Sequence, residues 1–211
     1  MCVNFTPPTR QQLELHFGAT APAEDWKQET WQDYTAPIIV AGDEGWQALL
    51  ASYGMIPKRK LPEEAKRFST MNARAETVGK LPSYRNAWRQ GALCLVPMQA
   101  FYEPCYESGK AVRWRIGMAD NKPFAVAGLW RSWKEMDGSL SNSFTQLTIN
   151  ADAHPLMSRM HKPDAEKRTL VIVSADEYDA WLTCRDPELA RSFLRLYPAE
   201  LLQAEPAPIA R

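Results

Sequence analysis

Cysteine stands at position 2, directly after the initiator methionine. Cellular aminopeptidases usually trim Met1 when a small residue follows, and trimming leaves an α-amine and a thiol on one carbon. No other position in a polypeptide offers this 1,2-aminothiol. Its amine condenses with an aldehyde to an imine, and its thiol then closes a five-membered thiazolidine ring. An α-amine titrates near about 7.7–8.0 and a thiol near about 8.5, so both lie close to their reactive forms at neutral pH.

Further candidates follow along the chain. Asn72-Ala-Arg74-Ala-Glu76-Thr77 is a polar run in which Arg74 can grip a phosphate through two parallel hydrogen bonds and Asn72 can orient an amine or carbonyl. Glu103, in Phe101-Tyr102-Glu103-Pro104, is flanked by aromatic residues, and partial desolvation should raise its pKa toward acid/base use. His154 and His161 follow the strand-like stretch 144–151, and histidine shuttles protons near neutrality. Plainer readings stand beside each of these: a polar turn leading into a helix, an ion-paired loop glutamate, ordinary loop histidines.

The charge pattern adds a candidate polyanion-binding face. Residues 58–89 hold nine basic side chains, Lys58, Arg59, Lys60 and Arg67 among them, against three glutamates. The stretch therefore carries +6 within a chain of net charge zero; a solvated polar face is the plainer alternative. The four cysteines show no C-x-x-C spacing, the two histidines are poorly spaced for zinc, and no metal or cofactor is expected. With no apolar run of membrane-spanning length and no basic-then-apolar leader, a cytoplasmic, monomeric protein with free thiols is expected.

The elements that must position these residues read as α+β. Thr9 to Gln12 has capping-box spacing ahead of a short helix, and 37–56 reads as two strands joined by the Gly42-Asp43-Glu44-Gly45 turn. A helix is predicted over 81–90, then strands over 93–98, 112–118, 123–130, 144–151 and 169–174. Along 112–118, Val112, Trp114, Ile116 and Met118 share one face. Ser174 should cap a helix through Trp181, and Asp186-Pro187 should open another. Without strict β-α-β alternation, the pattern predicts one domain over 1–196, a strongly curved, mostly antiparallel sheet or barrel flanked by helices, with 197–211 as a loose tail.

Taken in order, Cys2, the N-A-R-A-E-T run, a glutamate leaving the Leu95-to-Glu103 segment and a histidine after Thr148-Ile-Asn-Ala151 resemble the SOS response-associated peptidase family. The similarity extends to about Trp181 and includes Ala127-Gly-Leu-Trp130. It implies a single-stranded DNA binder that captures abasic sites through a thiazolidine at Cys2 after Met1 is removed, a step the family can perform autocatalytically. Asn72 would position the amine, Arg74 would hold a phosphate, Glu103 would serve as acid/base, and His161 would assist opening of the sugar ring. Lys58, Arg59, Lys60 and Arg67 would line the DNA groove. The chain departs from the family pattern at Val3-Asn4, where Gly-Arg is common, at Lys58, which replaces a tryptophan, and at Pro104, which replaces an aromatic residue. These departures bear on how DNA is gripped. Two rivals remain: a cysteine peptidase or amidase acting on proteins, and a non-covalent DNA-binding module.

Overall fold

The structure, a computed structural model, describes residues 2–43, 45–62, 64 and 68–209. Among the described residues twelve strands run in order: β1 (Phe5–Thr6), β2 (Thr35–Gly42), β3 (Gly45–Tyr53), β4 (Asn72–Arg74), β5 (Leu93–Met98), β6 (Ala100–Cys105), β7 (Val112–Met118), β8 (Phe124–Lys134), β9 (Leu140–Asn150), β10 (Arg168–Leu170), β11 (Ile172–Val173) and β12 (Leu202–Pro206). The helices are α1 (Arg10–Phe17), α2 (Arg85–Arg89), α3 (Tyr178–Thr183) and α4 (Pro187–Ala190).

Strands β9, β3, β2, β5 and β8 pair in turn, and β8 pairs back onto β9, closing a five-stranded barrel. The strands β4, β10 and β11 extend this sheet, and a second sheet runs β1-β6-β7-β12. Thr9 and Gln12 make the expected capping box on α1, and Asp186 caps α4 ahead of Pro187. Alternation along the barrel strands divides the interior in two. Ile39, Leu95 and Leu147 pack with α1, α2 and α3, while their neighbours Ile38, Val96 and Phe144 pack with the second sheet and Cys2. Gly128, in the Ala-Gly-Leu-Trp run, allows β8 to approach closely: a Cβ there would sit 2.7 Å from the Thr145 carbonyl oxygen.

Several expectations need correction. The run that starts at Asn72 is half strand and half turn: Asn72–Arg74 pairs in parallel with β9 at Gln146 to Thr148, and Ala75 to Thr77 turn toward α2. The predicted strand over 169–174 is two short ones, since β10 pairs with β9 and β11 crosses to β8. Ser174 makes no side-chain cap, and a 3₁₀ turn (Ala175–Glu177) precedes α3. The expected tail instead supplies β12, whose residues 202–206 pair with β7 from Met118 back to Trp114, burying Leu202. Arg67 lies outside the described residues.

Candidate active site around Cys2

The segment from Cys2 to Phe5 is held in the fold. Phe5 is fully buried, with its ring edge-on to Tyr53 at 5.4 Å and 6.3 Å from Phe144. It pairs with Phe101 of β6 on one side and with Thr30 on the other. Full burial of a phenylalanine stabilises by about 1.5–3 kcal/mol, enough to hold the preceding residues against β6. The Asn4 carbonyl accepts from the Tyr102 amide at 3.3 Å and from the Cys2 thiol at 3.2 Å. Cys2 is thereby drawn into the interior, at 0 % exposure. Burial, with the Glu103 carboxylate nearby adding repulsion, pushes its thiol up to about 12. The reactive range read from the sequence is therefore displaced, and a neighbouring base must take the thiol's proton.

Three of the expected site residues converge on Cys2 from separate elements. Asn72, the first residue of β4, donates through Nδ2 to the Cys2 carbonyl at 2.7 Å. Its Oδ1 is buried and has no hydrogen-bond partner among the described residues, so an acceptor stands ready beside Cys2. Glu103, on the inward face of β6 and 2 % exposed, has its carboxyl pushed up to about 7 by burial. His161 follows a 3₁₀ turn (Met157–Arg159) and is pinned by its amide to the Pro104 carbonyl at 2.6 Å, next to the Met160–Cys105 bridge. It adopts φ +65°, a left-handed backbone that side chains other than glycine rarely take, which aims the ring at Glu103.

The histidine's protonation follows from its contacts. Nε2 lies 3.1 Å from the Arg168 carbonyl, which can only accept, so Nε2 carries the hydrogen. Nδ1 then turns a lone pair toward Glu103 Oε2 at 3.5 Å. Burial lowers the imidazole pKa to about 4, so the ring is neutral near pH 7, and of the pair it is Glu103, raised to about 7, that takes up a proton first. The Arg168 carbonyl is itself anchored, because the guanidinium is 2 % exposed and bonds Glu76, Glu166 and Thr148.

Other expected residues lie apart. Arg74 is about half exposed and bonds Glu166 at 2.8 Å. Arg59 and Lys60 both pair with Glu135, at 3.4 and 2.6 Å, and hydrogen bonds from Lys60 and Ser141 hold that carboxyl down to about 2. Lys58 is exposed, and its amide bonds Asp33. His154 is structural: Nδ1 accepts from the Leu156 and Met157 amides, and Nε2 bonds the Tyr197 carbonyl. Asn4 is buried with its amide on Glu29, which also pairs with Arg113.

The sequence pattern of the SOS response associated peptidase family matches residues 1–209. The chain belongs to that family. Among its relatives, the abasic site processing protein YobE of Bacillus subtilis (strain 168) is 30 % identical over 155 residues, covering 72 % of this chain and 67 % of YobE. The abasic site processing protein YoqW of the same strain is 28 % identical over 155 residues, 72 % of this chain and 65 % of YoqW, so the chain spans about two thirds of these relatives' length. A crystal structure of a protein from Bordetella bronchiseptica superimposes with a TM-score of 0.90 at 35 % identity, covering 99 % of this chain and all of that one. A Bacteroides thetaiotaomicron protein shares the fold at TM-score 0.78 and 21 % identity, over 96 % of this chain and 90 % of that one.

Two further residues near Cys2, Tyr53 and Gln146, were not expected from the sequence. Tyr53 Oη lies 3.2 Å from the Cys2 carbonyl oxygen and 2.8 Å from Gln146 Oε1. The available signal was Gln146 itself, the one amide among the buried residues of β9. No helix among the described residues is long and apolar enough to cross a membrane.

Proposed function

We propose that this protein processes abasic sites in single-stranded DNA, capturing the ring-opened sugar covalently at Cys2 once Met1 is gone. The observation that carries the reading is the convergence of a buried Cys2, the Asn72 amide and the Glu103–His161 pair on one point. The names of the Bacillus relatives support the substrate class.

His161 Nδ1, a neutral lone pair, takes the proton of the anomeric hydroxyl as the ring C–O bond breaks and passes it to the departing ring oxygen, which becomes a hydroxyl, so the aldehyde forms and the imidazole is neutral again. The α-amine of Cys2, with an N–H directed to Asn72 Oδ1, attacks the aldehyde carbon to form a carbinolamine. Protonated Glu103 donates to the departing hydroxyl, which leaves as water, and an iminium remains. The Glu103 carboxylate then takes the thiol proton, the thiolate adds to the iminium carbon, and the C=N electron pair returns to nitrogen. The product is a thiazolidine, and Glu103 is again protonated. A carboxyl titrating near 7 suits both halves of this cycle. Arg74, Lys58, Arg59, Lys60 and Arg67 would grip the phosphates, giving an affinity that falls with salt.

Intact mass spectrometry of the protein, with and without an abasic oligonucleotide, tests this directly. The expected result is loss of Met1 and one covalent adduct, with none on undamaged DNA or unrelated peptides. Cys2→Ser should leave an imine that borohydride traps but no adduct stable to denaturation. A variant that retains Met1 has an amide nitrogen at Cys2 and should form neither. Normal crosslinking by that variant would defeat the aminothiol mechanism and favour a thiol-only or peptidase reading.

A further inference from the structure

We propose that the Tyr53 hydroxyl, set by Gln146, is a positioning group that clamps the Cys2 carbonyl together with Asn72 and so fixes the direction of the amine and thiol. The inference deepens the reading of Cys2 as the reacting aminothiol and rests on it.

The clamp is built from three strands. Tyr53 ends β3, Asn72 opens β4, and both strands pair in parallel with β9, at Phe144 and Gln146 respectively. The Cys2 carbonyl oxygen thus meets two donors, Asn72 Nδ2 at 2.7 Å and Tyr53 Oη at 3.2 Å. The phenol ring cannot swing away, because it stacks on Phe144 at 5.2 Å and meets the edge of Phe5. Burial raises its pKa well above the ordinary tyrosine value, so the hydroxyl stays a donor at any working pH; it also makes a side-chain hydrogen bond with Cys2.

Hydrogen counting assigns Gln146 its part. A phenol has one hydrogen, yet Tyr53 Oη faces two acceptors, the Cys2 carbonyl and Gln146 Oε1 at 2.8 Å. Gln146 is fully buried, and its Nε2 has no partner among the described residues. Turning that amide over makes Nε2–H donate to Tyr53 Oη, which frees the phenol hydrogen for Cys2 and leaves the amide oxygen where Nε2 had stood. A carbonyl held by two donors cannot rotate about the Cα–C bond. Both nucleophiles project from that Cα, so their aim depends on it.

The test uses Met1-processed protein with two aldehydes, an abasic oligonucleotide and formaldehyde, the smallest aldehyde. Tyr53→Phe keeps the ring contacts and removes only the hydroxyl. Thiazolidine formation at Cys2 should slow on the order of tenfold to a hundredfold with both aldehydes, as misplacement of reacting groups does. Affinity for undamaged single-stranded DNA should stay within about twofold, and the share of borohydride-trappable imine should rise. Gln146→Met, which keeps volume and removes the amide, should move the same readouts in the same direction, by about threefold to tenfold. It decides the matter if Tyr53→Phe fails to fold. Rates within about twofold of the parent on formaldehyde overturn the clamp. A parent protein inert toward abasic DNA defeats the proposed function instead, while the formaldehyde rates still report on the clamp.

Discussion

Cys2, Glu103 and His161 keep 0, 2 and 8 % of their surface exposed, whereas the side chains of Arg59 and Arg74 keep 47 and 48 %. The fold treats the two regions oppositely. Around Cys2 it excludes water, so each contact changes protonation: the thiol is pushed up to about 12, the carboxyl up to about 7 and the imidazole down to about 4. Along the basic stretch it leaves water in place and sets an acid beside each cation that pairs, Glu135 for Arg59 and Lys60 and Glu166 for Arg74. On the function proposed above, charge in the first region serves chemistry and charge in the second exchanges partners with phosphate. Buried electrostatics are strong and geometry-bound, while exposed pairs are weak and screened by salt.

The largest expected effect lies at Glu103. Glu103→Gln should slow crosslinking by about 10²–10⁴-fold with DNA affinity retained, the range that general acid/base groups supply. The parent rate should fall as pH rises past about 7, where the carboxyl loses the proton it donates, and this limb should vanish in the variant. Stability sharpens the point. A carboxyl raised from 4.5 to about 7 on folding weakens the fold as pH climbs through that window, because the unfolded chain releases its proton first. The variant should therefore be more stable than the parent at pH 8, on the order of 3 kcal/mol. His161 works in the opposite sense: lowered from 6.5 to about 4, it weakens the fold as pH falls through that range. Urea titrations at pH 5 and 8 measure both. A variant that is slower and no more stable at pH 8 would assign Glu103 a structural part.

The residues of the buried region were legible because their types announce chemistry: a cysteine at position 2, a glutamate between aromatic residues, a histidine beyond an apolar strand. Their meeting point was not, since it depends on β4 pairing with β9 across 74 positions and on His161 returning to Pro104. Tyr53 and Gln146 were hidden for the same reason. In the basic stretch, the composition was plain and the acid partners were not, because Glu135 and Glu166 lie far along the chain from the cations they hold. The barrel was foreseen as a curved, mostly antiparallel sheet, but β12 escaped notice because Pro206 and its polar neighbours resemble a tail. Pairing on one side only, at the outer edge of the second sheet, makes that composition tolerable.

Between the two regions sits Arg168, buried like the first and charged like the second. Its guanidinium ties Glu76 and Glu166 together, and its carbonyl fixes the His161 tautomer. Arg168→Met should cost about 1–3 kcal/mol, because it leaves the buried Thr148 carbonyl without its guanidinium donor and removes the cation shared by Glu76 and Glu166. It should also loosen the ring. Urea unfolding reads the first effect. The second should appear in ¹⁵N spectra of the imidazole as loss of a pure Nε2–H signature. A cost below about 1 kcal/mol with an unchanged spectrum would make Arg168 an ordinary surface-type ion pair despite its burial.

The smallest effect is expected where exchange is cheapest, at Glu166. In the free protein its carboxylate lies 2.8 Å from Arg74 and 2.6 Å from Arg168, with hydrogen bonds from Arg168 holding its pKa below the ordinary value. A DNA phosphate reaching Arg74 must displace this carboxylate or sit beside it, and either way one anion repels the other. Glu166→Gln keeps the shape and removes the charge. Because the pair is half exposed, its strength is only about 0–1 kcal/mol, so affinity for single-stranded DNA should rise by no more than about fivefold. Arg74→Gln should lower affinity and reduce the slope of log affinity against log salt by about 0.7, the loss of one phosphate contact. The double variant separates the two accounts: if Glu166 acts through Arg74, removing its charge should add little once Arg74 is gone. An equal gain in the presence and absence of Arg74 would show Glu166 acting as a general negative charge near the groove. Arg74 would then keep its phosphate while losing its partner in the exchange.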